Sequence, residues 1–200
     1  MKYILSFTTM SLNVYETQEV AKLFLKHQSW DEVRKIIIDE NYLQKSAMST
    51  LKRQFIEIRK RINNLTEEEL EYLAQNDYEA KYVVMLSAFK TYKMIYDFAV
   101  EIMREKYFKG DMKILESDFE VFFESKKLAY ENLNTVTDST KYKLRQVMFK
   151  MFEEAELITS TKEKIIKKPL LSRNLCKIIK NDDENYLKAF LLSKDEIERI

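Results

Sequence analysis

YEAKYVVMLSAFKTYKMIYDFAVEIMREKYF, residues Tyr78 to Phe108, is the stretch that decides the fold. Val83, Leu86, Phe89, Tyr92, Ile95, Tyr96, Ala99, Ile102 and Met103 recur at the three- and four-residue spacing of a buried helical face. Neither glycine nor proline interrupts the run. Gly110 follows it, where a helix C-terminus accepts a left-handed residue. The stretch predicts a central buried hairpin, or one long helix kinked near Thr91. Glycine and proline occur once each in 200 residues, against average usage of roughly 7% and 5%. Tight β-turns and phosphate-cradling loops lean on glycine for positive φ. An all-β fold, a doubly wound sheet and a P-loop are therefore excluded, and the fold class is all-α.

Outward from this core, further helices are predicted over Val14–Lys26, from Ser29 with Glu32 as its capping box, and over Met48–Asn63. The last carries the stripe Leu51, Phe55, Ile58 and Ile62. Thr66 with Glu69, and Ser117 with Glu120, read as two more capping boxes. The strongest later helix is predicted over Ser139–Ala155, with Leu144, Val147, Met148, Met151 and Phe152 on one side. The β-prone pieces Leu157–Thr159 and Ile165–Lys167 flank a polar turn, and another helix is predicted from Ser172. The expected architecture is a two-lobed helical bundle. Its N-terminal lobe, 1–65, holds a helix-turn-helix-like segment. The bundle 66–200 holds a winged-helix-like part with a small β-wing near 157–168.

Thirty-four basic and 33 acidic residues leave a net charge of +1, yet the charges are segregated. Residues 41–63 hold Lys45, Lys52, Arg53, Arg59, Lys60 and Arg61 against the single acid Glu57. Residues 141–180 hold eleven basic residues against four acidic ones. Lys52 and Arg59, seven apart, share a helix face with Arg53 and Lys60 beside them, opposite the apolar stripe; Lys45 joins them if the helix starts early. Lys141, Arg145, Lys164, Lys167, Lys168 and Arg173 are the expected contacts of the second segment. Two basic segments in a near-neutral chain point to nucleic acid, with lysines and arginines on phosphates. Taken alone, the first segment has a solvated face of an ordinary bundle helix as its competing reading, and the second a flexible lysine-rich surface loop.

Catalytic constellations are missing. One histidine and one cysteine cannot build a His/Cys zinc site. His27 reads as packing near a helix end, and Cys176 as a buried small residue. Asp182, Asp183 and Glu184 read as a solvated helix start. No catalytic residue, metal site or cofactor is expected. No apolar run approaches the roughly 20 residues of a membrane span, and the single cysteine fits a reducing compartment. The chain is expected to be soluble and cytoplasmic.

Several pieces taken in order carry a resemblance. They are Ser6-Phe7-Thr8-Thr9-Met10-Ser11-Leu12, Trp30-Asp31-Glu32-Val33-Arg34 and Asn41-Tyr42-Leu43-Gln44 leading into Ser49-Thr50-Leu51-Lys52-Arg53. Tyr96-Asp97-Phe98-Ala99-Val100-Glu101, Arg104-Glu105-Lys106, Ser139-Thr140, Lys143-Leu144-Arg145-Gln146-Val147 and Pro169-Leu170-Leu171-Ser172 follow. Over essentially its whole length the chain resembles the BrxA family of BREX bacteriophage-exclusion systems, once labelled inner-membrane proteins. The resemblance implies a small helical protein, partly similar to NusB-type bundles. It also implies double-stranded DNA binding in phage defence and no enzyme activity. Implied partners are a methyltransferase, an alkaline-phosphatase-like protein and ATPases. The alternatives are an adaptor bridging other BREX proteins and, more weakly, a NusB-like RNA-binding bundle. The membrane label conflicts with the hydropathy.

Overall fold

The computed structural model describes residues 1–200. Helix α1 spans Val14–His27. Helix α2, Trp30–Arg34, starts at Ser29, whose side chain accepts the Glu32 backbone N–H, and widens into a π-helical turn over Lys35–Asp39. An eight-residue connector, 40–47, leads to α3, Met48–Ile62. Helix α4, Glu67–Gln75, opens with the Thr66–Glu69 capping box, both halves of which form. Leu51, Phe55, Ile58 and Ile62 of α3 are all buried, as their spacing requires.

Helix α5, Ala80–Thr91, buries Tyr82 through Phe89 without a gap. A helix apolar all round belongs in the middle of a bundle, and α5 packs on α1, α3 and α4. It stops at Tyr92 (φ −120°, ψ 86°). The cause lies in the preceding turn. Ser87 Oγ donates to the Val84 carbonyl and Thr91 Oγ1 to the Ser87 carbonyl, both at 2.7 Å, and such back-bonding competes with the helical ladder. The chain resumes as α6, Lys93–Phe98, passes a π-helical turn at Ala99–Arg104, and continues as α7, Glu105–Phe108. The run 78–108 is thus helices broken at Tyr92, and it ends at Gly110 with φ +76°.

Helix α8, Glu116–Lys126, corrects one expectation. The Ser117–Glu120 box does not form. Instead, Asp118 Oδ2 accepts the Leu115 N–H at 2.7 Å. The Ile114 N–H is tied to the Lys164 carbonyl at 3.0 Å, so the chain is fixed before Ser117 and the helix begins two residues earlier than that box needs. Helix α9, Asp138–Glu154, is capped by Thr137 and buries the expected stripe. Phe98 lies at its back, with ring centroids 5.2–6.1 Å from Phe119, Phe122, Phe149 and Phe152. Such pairs add about 0.5–1.5 kcal/mol each beyond the burial of their area.

The β-prone pieces meet only at an antiparallel bridge between Ile158 and Ile166. A second bridge joins Ile165 to Lys113. Ile158 and Ile166 are buried, so this small hairpin lies against the bundle. Helix α10, Arg173–Asp183, begins at its cap Ser172, which also donates to the buried Glu79 carboxylate at 2.7 Å. Helices α11, Asn185–Ala189, and α12, Lys194–Glu198, complete the chain. One continuous core of 54 residues draws on both 1–65 and 66–200. No helix is long and apolar enough to cross a membrane.

Candidate nucleic-acid interface

On α3 the basic face stands as its spacing requires. Lys52, Arg53 and Arg59 are exposed and meet no carboxylate. Trp30 stacks on Phe24, with centroids 4.2 Å apart, and the Arg59 guanidinium lies 5.2 Å above the Trp30 ring. Arg34, Lys52, Arg59 and Lys60 surround a shallow groove of about 570 Å³, floored by Phe55 and Ile38, with no acidic residue in its lining. The wide turn after α2 sets Ile38 against α3. Lys45 is not on this face. Helix α3 starts at Met48, and Lys45 Nζ instead pairs with Glu16 of α1 at 2.5 Å.

Arg61, the sixth base of that segment, is fully buried. Its guanidinium donates to the carbonyls of Ser11 at 2.6 Å and Met10 at 3.2 Å, and to the Tyr92 hydroxyl at 3.2 Å. The Tyr92 hydroxyl donates to Glu57. Burial and that bond push the Tyr92 phenol up to about 12. Glu57 also accepts Ser6 Oγ at 3.1 Å, and Lys60 Nζ bridges Glu57 (2.9 Å) and Ser6 Oγ (2.8 Å). From α9, Glu154 accepts the Leu12 N–H and Ser11 Oγ, both at 2.8 Å. Together these bonds fasten the N-terminal segment, with its 3₁₀ turn Ser6–Thr9, between α3 and α9.

Beyond the turn lies a second groove of about 490 Å³, between Thr8–Ser11, α9 and the loop 160–164. Lys143, Arg145, Lys150 and Lys164 line it. The charges of the second segment are partly spent internally. Lys141 pairs with Glu120 and Glu124 of α8, and Arg145 with Glu116 (3.4 Å) and Glu120 (3.3 Å). Burial would lower the Lys141 ammonium, but its carboxylate partners raise it above its ordinary value. Lys168 binds both oxygens of Glu196, at 2.5 and 2.6 Å. Lys164, Lys167 and Arg173 have no carboxylate partner; Lys167 and Arg173 are exposed, and neither lines either groove.

The structure thus gathers Lys52, Arg59 and Lys60 about the α3 groove, where Lys60 reaches Ser6, and brings Arg145 and Lys164 to the groove that Thr8 and Thr9 line. Lys143 and Lys150, counted among the eleven basic residues of the second segment, are not among its expected contacts, although the spacing 143, 146, 147, 150 marks one helical face. No group of three or more His, Cys, Asp or Glu side chains is placed to hold a metal. Burial, with the Glu79 and Glu196 charges, pushes the Cys176 thiol up to about 11.

The BrxA family profile matches residues 1–183. The chain belongs to the BrxA family. As a BrxA-family chain it is a BREX phage-defence component. It is 30% identical to the BREX protein BrxA of Bacillus cereus (strain H3081.97) over 159 residues, 78% of this chain and 80% of that one. Its fold is also similar to the crystal structure of an uncharacterized protein from Magnetospirillum magneticum. There the TM-score is 0.85 and the identity 21%, over 96% of this chain and all of that one. This BrxA-family fold is all-α.

Proposed function

We propose that this BrxA-family chain binds double-stranded DNA in the cytoplasm as a non-enzymatic BREX component. The observation that carries the reading is the pair of basic grooves, far apart in sequence, one lined by Thr8 and Thr9 of the N-terminal turn and the other tied to that turn through Lys60 and Ser6. Phosphate contacts from lysine and arginine supply affinity without reading bases. Lys52, Arg53 and Arg59 approach the backbone from α3, Lys164 from the hairpin, and Lys167 and Arg173 extend the positive field. In the α3 groove Lys52 and Arg59 present cations with no competing carboxylate. The test is a titration with duplex DNA, single-stranded DNA and RNA across a salt series. Duplex is expected to bind most tightly. A preference for RNA would favour the NusB-like alternative, and no binding to any of them at low salt would end the nucleic-acid reading.

A second reading, an adaptor contacting the methyltransferase, phosphatase-like protein or ATPases of the system, draws on a different face. Helix α8 neutralises Lys141 and Arg145 and exposes Val121, with Leu115 and Leu128 exposed at its two ends. On that reading, reversing the α3 charges leaves DNA affinity unchanged, and a Val121→Asp change on α8 abolishes co-purification with a BREX partner.

A further inference from the structure

The groove between the N-terminal turn and α9 has features that contact with a duplex backbone does not require. Its volume of about 490 Å³ falls in the roughly 300–1,000 Å³ range of small-ligand pockets. The hydroxyls of Thr8, Thr9, Tyr142 and Thr161 point no hydrogen bond at any protein group, although all four residues line the groove. Lys164 has no carboxylate partner, and its ammonium lies 5.7 Å from the centre of the Phe149 ring in the groove wall. Lys143 meets only the Gln146 side-chain oxygen, at 3.0 Å. The one lining carboxylate, Glu116, faces Arg145. Uncommitted donors of both kinds therefore converge on one concavity.

The walls are held in place before any ligand arrives. Arg61 and Glu154 fix Met10, Ser11 and Leu12. Glu153 accepts the Thr161 N–H at 3.2 Å and the Lys150 ammonium at 2.6 Å. Lys164 itself sits at φ +55°, where glycine would be easier and a lysine carries strain. The backbone at that position does not ask for lysine; the groove uses its charge. Tyr142, more than half exposed at the rim, offers a flat ring of the kind on which bases stack.

We infer that this groove binds the 5′-phosphate of a nucleotide, with Lys143, Lys164 and the threonine hydroxyls on the phosphate and Tyr142 against the base. A phosphate monoester is the fitting ligand, because its near-double negative charge and three oxygens match two free ammonium groups and several free hydroxyls. Its source is either a free mononucleotide or the phosphorylated 5′ end of a DNA strand. The inference stands apart from duplex binding by α3.

The test is calorimetric titration of the full chain with adenosine 5′-monophosphate and adenosine, and with a short duplex carrying either a 5′-phosphate or a 5′-hydroxyl. Three proteins are compared: the unaltered chain, a Lys143→Ala/Lys164→Gly variant, and a Lys52→Glu/Arg53→Glu/Arg59→Glu variant. Glycine at 164 suits the local backbone, and circular dichroism confirms that each variant stays folded. Saturable binding of the monophosphate but not of adenosine is expected for a free nucleotide. A preference for the phosphorylated duplex alone identifies the strand end. Either signal should fall about tenfold or more in the groove variant and persist in the α3 variant. Equal binding of phosphorylated and unphosphorylated probes, or binding that survives the groove variant, overturns the inference. Because the monophosphate arm involves no duplex, it reads out even if duplex binding fails.

Discussion

Arg61 shows how a single side chain joins sequence to site. It is a charged residue on a strongly basic helix, yet it is fully buried, with its guanidinium against two carbonyls of the N-terminal segment. Replacing it with leucine keeps apolar volume but leaves the carbonyls of Met10 and Ser11, and the Tyr92 hydroxyl, without their cationic donor. The expected loss is about 3–5 kcal/mol, measured by urea denaturation, together with loosening of the Ser6–Thr9 turn. A loss below 1 kcal/mol would mean that the turn is held by its apolar contacts alone. Tyr92 gives a pH signature. Its phenol is raised from 10.0 to about 12 in the folded chain, so the native state keeps its proton after the unfolded chain has lost it. The stability from this group is complete below pH 10 and is lost as pH rises from about 10 to about 12. The window is worth about 2–3 kcal/mol. A Tyr92→Phe variant is expected to lose less stability across it, by denaturation at a series of pH values; identical slopes would count against a buried, proton-holding phenol.

Among the elements, α8 sets how much of α9's charge is available. Glu116, Glu120 and Glu124 form a ladder against Lys141 and Arg145. A Glu120→Gln/Glu124→Gln variant frees Lys141 and leaves Arg145 with Glu116 as its one carboxylate partner. Duplex affinity is expected to rise severalfold at low salt and the gain to shrink by physiological salt, where the Debye length is about 8 Å. Stability should change by no more than about 1 kcal/mol, as for exposed ion pairs. Unchanged or weaker DNA binding would separate α9 from the interface. Helix positions were legible in the chain, because amphipathic spacing and capping residues are local signals. Met48–Ile62, the Thr66–Glu69 box and the break near Thr91 all follow from them. The site was less legible. Counting charges treats Lys52 and Arg61 alike, and only the packed structure separates an exposed cation from a buried one. The start of α8 depended on a bond from Ile114 to Lys164, fifty residues away in sequence. The groove containing Lys143 and Lys150 needs the N-terminal turn to form its opposite wall.

In the whole molecule, a net charge of +1 conceals two basic surfaces because acids pair with cations selectively. Lys45, Lys60, Lys141, Arg145 and Lys168 each meet a carboxylate; Lys52, Arg53, Arg59, Lys164, Lys167 and Arg173 do not. The expected interface is the unpaired set, with Lys52 and Arg59 in the α3 groove and Lys164 in the groove beside the turn that buried Arg61 and partly buried Glu154 hold. The most direct measurement is the slope of log K against log salt for duplex binding. It is to be made on the unaltered chain, on Lys52→Glu/Arg53→Glu/Arg59→Glu, and on Lys164→Glu/Lys167→Glu. Each phosphate contact contributes a slope of about −0.9. Both variants should keep native circular dichroism and bind more weakly, with slopes shallower by about 0.9 for each contact removed. Folded variants with the affinity and slope of the unaltered chain would contradict the proposal that these two basic surfaces form its DNA interface.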